Sequence, residues 1–251
     1  MLMDTFEIKI VKYKNGNSEN VTDRIVSEDP FEIFINGEKK YFCMRMPGMD
    51  YELALGLLFN EGIINSLSDV HDFKMDESRI SLNIKGSIVP GFKKVYASSG
   101  SMISDELVVP VSQNKGEFTA ERLFTLQNEF FKMQGVFDKT GGVHACAFYS
   151  SGGDLISFAE DVGRHNALDK CMGSALAEGK IESLFLIMLS SRISFEMIRK
   201  SYRTGAVFVA GVSAPTSAAV SAAEQSNMTL VGFLRGDRFN VYSHSERLLN
   251  L

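Results

Sequence analysis

The chain has 251 residues and a formal net charge of −5, and 45% of its residues are hydrophobic and 23% charged. These proportions are typical of a globular protein and exclude a disordered chain or a fibrous repeat. The mild acidity argues against a general nucleic-acid binder, which would need a basic excess. Three widely spaced cysteines suit a reducing compartment, and no apolar run is long enough to cross a membrane. We therefore expect a cytoplasmic protein with neither nucleic-acid nor membrane partners.

The first third of the chain is predicted to be rich in strands. Apolar residues alternate with polar ones over residues 6–10, which predicts a strand with one buried face. Asn36-Gly37, between two apolar segments, predicts a type I′ hairpin turn. Asp50 is expected to be the N-cap of a helix over residues 51–59.

Glycine, proline and serine interrupt this pattern between residues 86 and 116, where we predict a loop or hinge. The predicted organisation is a small β-rich N-terminal domain over residues 1–110 and a second domain over residues 111–251.

Helix and strand signals alternate in the second half. Thr119 is a predicted N-cap, and helices are expected at residues 195–202 and 216–225. Continuous apolar runs over residues 183–189 and 207–212 predict strands that are covered on both faces. This alternation is typical of a three-layer α/β domain.

Polar residues concentrate in four stretches, two of which directly follow predicted strands, where open α/β sheets bind ligands. The stretches are residues 140–144, 160–166, 212–217 and 232–240. Each alone also fits a structural role: a tight turn, a helix capped by Asn166, a helix start at Pro215, or a solvated hairpin tip. The zinc-deaminase pattern H-x-E with P-C-x-x-C is absent, and no metal ligands are predicted.

Together these stretches resemble the FdhD/NarQ family, the formate dehydrogenase accessory sulfurtransferases. The matching segments, in chain order from Met44, are M-R-x-P-G-x-D-x-E-L-A-L-G-L-L-F-x-E-G-I-I, T-G-G-V-H-A, A-E-D-V-G-R-H-N-A-L-D-K, S-S-R-I-S-F-E, V-S-A-P-T-S-x-A and V-G-F-x-R-G-x-R-F-N-V-Y. The likeness spans nearly the whole chain.

The resemblance implies a protein that takes sulfur from a cysteine desulfurase and passes it to bis-molybdopterin guanine dinucleotide, which is then inserted into formate dehydrogenase. It also implies a homodimer, a second domain with a cytidine-deaminase-like fold without zinc, and a cofactor groove that includes the segment matching Phe233 to Arg238. No catalytic side chain is assigned, and whether the chain is an enzyme is left open.

The predicted cofactor site combines that groove with the polar loops. Arginines suit phosphates, as do the N–H groups of a helix start, and a carboxylate at Glu160 or Asp161 could accept both N1–H and N2–H of guanine. GDP is therefore an expected mimic of the cofactor. The predicted residues are Glu160, Asp161, Arg164, His165, Ser213, Thr216, Phe233, Leu234, Arg235, Gly236, Asp237 and Arg238.

The chain departs from the family at its C-G-x-C-G loop. One alignment puts Ser99 and Met102 at the two cysteine positions, and a one-residue shift puts Gly100 and Ile103 there. None of these side chains can carry a persulfide. Two hypotheses remain open: another cysteine substitutes, with Cys146 the best placed, or the chain is a paralogue that binds the cofactor or a guanine nucleotide without transferring sulfur.

Overall fold

A computed structural model describes residues 4–85, 95–96, 102–103 and 116–249. The predicted boundary near residue 110 lies outside the described residues, as do Ser99 and Gly100. The N-terminal elements are β1 (Thr5–Lys14), β2 (Asn17–Val26), β3 (Asp29–Ile35), β4 (Glu38–Arg45), α1 (Asp50–Asn60), β5 (Val70–Met75), β6 (Arg79–Ile84), β7 (Val95–Tyr96) and β8 (Met102–Ile103). The remaining elements are β9 (Phe118–Thr119), α2 (Ala120–Met133), α3 (Gly135–Thr140), β10 (His144–Tyr149), β11 (Leu155–Asp161), α4 (Arg164–Ala177), β12 (Leu186–Leu189), α5 (Phe195–Tyr202), β13 (Phe208–Gly211), α6 (Ser217–Gln225), β14 (Thr229–Arg235), β15 (Arg238–Ser243) and β16 (Leu248–Leu249).

β1 and β2 form a two-stranded antiparallel ribbon. The predicted strand is confirmed, but its predicted buried face is wrong. Phe6 is 46% exposed, and Ile8 and Ile10 are only half-buried. The reason is that, among the described residues, β1 pairs with β2 alone, so no second layer fully buries the apolar positions.

β3 to β6 form a four-stranded sheet in the order β4-β3-β6-β5. Its β3–β4 turn has Asn36 at φ 49° and Gly37 at φ 83°, the two positive angles that a type I′ turn requires, as predicted. Asn36 also accepts a hydrogen bond from the Ile84 N–H through Oδ1 at 2.9 Å. The turn is therefore tied to the neighbouring strand β6.

Asp50 is the first residue of α1 and not its N-cap, contrary to the prediction. The cap position is Met49, in a left-handed conformation without a side-chain bond. Asp50 instead accepts from the buried Arg45, with Oδ1 2.8 Å from Nε. The Asp50 carboxylate, which the sequence pattern assigned to capping, therefore forms an ion pair with Arg45.

The second half is built on a six-stranded sheet in the order β11-β10-β12-β13-β14-β15. β12, β13 and β14 are parallel, and the other pairs are antiparallel. Leu123, Leu126 and Phe130 of α2 pack on one face, and α4, α5 and α6 cover the other. The predicted three-layer α/β architecture is confirmed, and Thr119 caps α2 by accepting from the Arg122 N–H at 3.2 Å.

α1 packs directly on α4, so the N-terminal elements share a core with the large sheet. Two glycines make this contact close. A Cβ added at Gly56 would lie 1.8 Å from the Asp169 carbonyl oxygen, and one at Gly173 would lie 1.8 Å from that of Glu52. Only glycine fits at either position without moving a helix.

Three boundaries near the predicted site differ from expectation. β11 runs on to Asp161, so Glu160 and Asp161 lie on a strand and not in the loop that follows it. α4 begins at Arg164 with Gly163 as its N-cap, so Asn166 is a helical residue. Pro215 precedes the N-cap Thr216 and is not in the first turn of α6. In each case the local pattern marked the transition but misplaced it by a few residues.

In the part of the chain that the structure describes, no helix is long and apolar enough to span a membrane. Over the same residues, no group of three His, Cys, Asp or Glu side chains could hold a metal ion.

Candidate functional site

A pocket of about 580 Å³ opens at the edge of the six-stranded sheet where β12 and β13 end. Residues from four strand ends line it. His144 begins β10, Val162 follows β11, Ser190 follows β12 and Val212 follows β13. This is the edge at which open α/β sheets bind ligands, and its volume is in the range of small-molecule sites.

The walls of the pocket are mostly apolar. Phe131 at the end of α2 and Phe137 in α3 are 39% and 45% exposed, which is unusual for phenylalanine. The remaining lining residues are Val143, Gln134, Asp138, Gly141 and Gly142. An apolar cavity with a few polar groups is the usual form of a small-molecule site.

Glu160 fixes one wall of this pocket. Its carboxylate is buried and accepts from the backbone N–H groups of Val136, at 2.9 Å, and Phe137, at 2.8 Å. These bonds tie the start of α3 to β11. Both carboxylate oxygens are thus used by the chain itself.

Asp161, the next residue, is fully buried. Its Oδ2 accepts from the Met46 N–H at 3.2 Å and from Lys170 Nζ at 2.8 Å. Its Oδ1 accepts from the Gly163 N–H at 2.8 Å and from Asn166 Nδ2 at 2.9 Å. Four donors hold the Asp161 carboxylate. Asp161 could therefore accept hydrogen bonds from a guanine base only if some of these bonds were broken.

His165 and Arg164, at the start of α4, have different neighbours. His165 Nε2 lies 3.0 Å from Glu196 Oε2, which connects α4 to α5. Arg164 is close enough to His144 to act on its charge: burial first, and then the Arg164 guanidinium, lowers the pKa of His144 below its usual 6.5. His144 is therefore neutral at neutral pH.

Arg235 lies against the strand end that borders the pocket. Its Nε donates to the Val212 carbonyl at 2.8 Å, and the Phe233 N–H donates to the Ser213 carbonyl at 3.2 Å. The predicted loops at residues 212–217 and 232–240 are thus brought together. Within the described residues, the other guanidinium N–H groups of the exposed Arg235 have no partner and can bind an anion at this rim.

The remaining predicted groove residues differ in accessibility. Leu234 is fully buried in the core, so only its backbone can meet a ligand. Gly236, Asp237 and Arg238 are exposed in the hairpin, with Gly236 at φ 60°. Thr216 caps α6 by accepting from the Ala219 N–H at 3.2 Å.

None of the three cysteines is placed for sulfur chemistry. Cys146 and Cys171 are fully buried, and Cys171 Sγ donates to the Cys146 carbonyl at 3.1 Å. Burial, with Cys171 nearby, raises the pKa of the Cys146 thiol. Cys43 is half-buried, and burial followed by the Asp161 charge raises its pKa to about 12. A thiol needs access and a lowered pKa to act as a nucleophile; Cys146 and Cys171 lack access, and the pKa of Cys43 is raised.

Sequence reasoning missed α3 and the pocket residues that surround it, namely Phe131, Phe137, Asp138 and Ser190. α3 has only six residues and is too short for a periodic apolar pattern. Its one local signal is Gly141, the left-handed C-cap at φ 65°, which the sequence marks only as a turn.

Three comparisons with known proteins agree. A model of the FdhD/NarQ family matches residues 26–249. The "Sulfur carrier protein FdhD" of Sulfolobus acidocaldarius is 37% identical over 98% of this chain and 99% of its own, and that of Saccharolobus solfataricus is 36% identical over 95% and 96%. A crystal structure described as a formate dehydrogenase accessory protein of Desulfotalea psychrophila has the same fold, with TM-score 0.82, 23% identity and coverage of 98% of this chain and 100% of that one.

Proposed function

The chain belongs to the FdhD/NarQ family, and on that premise we propose that it is a formate dehydrogenase accessory protein that binds bis-molybdopterin guanine dinucleotide without carrying sulfur on its own thiols. The observation that carries this proposal is the presence of a ligand-sized pocket together with the absence of a reactive thiol among the three cysteines. A nucleotide-sized pocket with an arginine rim lies at the sheet edge, while Cys146 and Cys171 are fully buried and the half-buried Cys43 has a raised pKa.

The residues at the pocket fit a guanine nucleotide part of the cofactor. Apolar walls suit a flat base, and Arg235, Arg238 and the N-terminal end of α6 suit the pyrophosphate. The rest of this large cofactor would extend beyond the pocket along the exposed hairpin. When bound, the cofactor carries the metal and pterin chemistry that the dehydrogenase uses.

The proposed role of the chain's own residues is to hold the cofactor and to pass it to a recipient protein. The proposed recipient is the catalytic subunit of formate dehydrogenase, and a homodimer is the proposed assembly. A cysteine desulfurase is then not a donor to this chain, because neither Ser99 and Met102 nor, in the shifted alignment, Gly100 and Ile103 can accept sulfur as a persulfide.

Calorimetric titration with GDP tests the binding site. The unaltered protein should bind GDP, and Val162→Trp should abolish binding by filling the pocket. The matched control is Val11→Trp on the β1–β2 ribbon, where the side chain is 67% exposed and a larger residue has space. No GDP binding by the unaltered protein, or equal binding by Val162→Trp and Val11→Trp, would show that the pocket is not the nucleotide-binding site.

A further inference from the structure

A solvent-exposed carboxylate lines the pocket beside its apolar walls. Asp138, on α3, lines the cavity, and its side chain makes no hydrogen bond or ion pair within the described residues. Of the described residues that line the pocket, it alone carries a carboxylate. Glu160 and Asp161 have the same chemistry, but backbone and side-chain donors already hold their oxygens.

Two exposed aromatic rings accompany this carboxylate. Phe131 and Phe137 line the same pocket, and Phe137 is the residue immediately before Asp138. The backbone of Phe137 is fixed by Glu160, so α3 has a defined position relative to β11. Exposed phenylalanines beside a free carboxylate suit a flat ring that stacks on one face and donates hydrogen bonds at its edge.

One cation, Arg235, lies towards the other side of the pocket from α3, while a second, Arg164, is near His144. Val212, which receives the bond from Arg235, follows β13, and β13 is separated from β10 by one strand, β12. Two strand spacings amount to about 10 Å. The pocket thus has an acidic end at α3 and a basic end at Arg235, which matches a ligand with a donor-bearing base and an anionic tail.

We propose that Asp138 is the residue that selects guanine, accepting N1–H and N2–H of the base while Phe131 and Phe137 contact its faces. This inference rests on the proposed function, because it assigns the base of that same ligand. Adenine presents an N1 acceptor at the corresponding position, which a carboxylate repels. Xanthine has a carbonyl in place of the 2-amino group, so it matches an asparagine better than an aspartate.

Base exchange in calorimetric titrations provides the test. The unaltered protein should bind GDP about tenfold more tightly than ADP. Asp138→Asn should weaken GDP binding about tenfold and strengthen binding of xanthosine diphosphate. Phe137→Leu should weaken binding of both nucleotides alike, because stacking does not read the base edge.

Glu129→Gln is the matched control, since Glu129 is an exposed carboxylate on α2 that does not line the pocket. It should leave the GDP preference unchanged. Equal binding of GDP and ADP by the unaltered protein, or an unchanged preference in a folded Asp138→Asn variant, would overturn the assignment to Asp138 while leaving the nucleotide pocket in place. Failure of the unaltered protein to bind any of these nucleotides would overturn both the pocket and this assignment.

Discussion

Lys170 Nζ lies 2.8 Å from Asp161 Oδ2, and both side chains are buried, at 1% and 0% exposure. Lys170 also donates to the Met46 carbonyl at 2.7 Å, while Asp161 accepts from the Met46 N–H. The pair therefore fastens the segment before α1 to the strand end beside the pocket. A residue that the sequence assigned to a ligand has a structural partner 115 positions away.

Removing one member of this pair should destabilise the fold. Asp161→Asn leaves the Lys170 charge buried without its partner, which typically costs about 3–5 kcal/mol. Urea unfolding should show this loss. The control is Glu178→Gln in the exposed Lys180–Glu178 pair, which should leave the midpoint essentially unchanged. Equal midpoints for the two variants would show that the buried pair does not hold the segment.

The α1–α4 contact should tolerate no side chain at Gly173. A Cβ there would lie 1.8 Å from a backbone oxygen, so Gly173→Ala must separate the helices and should lower the free energy of unfolding by about 1–3 kcal/mol or more. Gly135→Ala is the matched control, because nothing lies within 4 Å of its added Cβ. Thermal unfolding of both variants measures the difference, and a Gly173→Ala protein as stable as the Gly135→Ala protein would contradict the close packing.

Arg235 should contribute strongly to nucleotide affinity. Losing one charge-assisted partner costs about 1.5–3 kcal/mol, so Arg235→Ala should weaken GDP binding by about 10- to 150-fold. Arg79→Ala, at an exposed position of the four-stranded sheet, should have no effect. Calorimetry decides between them, and unchanged affinity after removal of both Arg235 and Arg238 would place the phosphates elsewhere.

Cys43 should be a poor nucleophile with a distinctive pH dependence. Its raised pKa of about 12 means that the thiolate fraction, and with it the rate of attack on a disulfide reagent, should rise about tenfold per pH unit from pH 7 to pH 9. Stopped-flow kinetics with an aromatic disulfide reagent measure this rate. A rate that levels off near pH 8.5, as for an ordinary thiol, would show that Cys43 is more accessible and more acidic than its surroundings imply.

Local rules predicted much of the fold. Asn36-Gly37 and Thr119 were predicted correctly because a turn and a cap depend on a few neighbouring residues. The exposed face of β1 was not, because alternation reveals a strand's period and says nothing about what covers it. Asp50 was misassigned as a cap because its carboxylate pairs with Arg45, five residues earlier, and not with an N–H group of the helix start.

The candidate site was predictable only in outline. The strand-end loops were identified, and Arg235 does lie at the strand end bordering the pocket. The bonds of Glu160 to α3 were not foreseen, because a six-residue helix leaves no periodic signal. Asp138 was not predicted either, because its place in the lining of the cavity is not visible in the spacing of residues in the sequence.

The central claim is that this family member binds its cofactor without carrying sulfur on its own thiols. The most direct measurement is the intact mass of the protein after incubation with a cysteine desulfurase and cysteine. We predict no added sulfur on the unaltered chain, and added sulfur that a reductant removes on the variant that combines Ser99→Cys with Met102→Cys. Stoichiometric, reductant-sensitive sulfur on the unaltered chain would contradict the claim and direct attention to Cys43, Cys146 and Cys171.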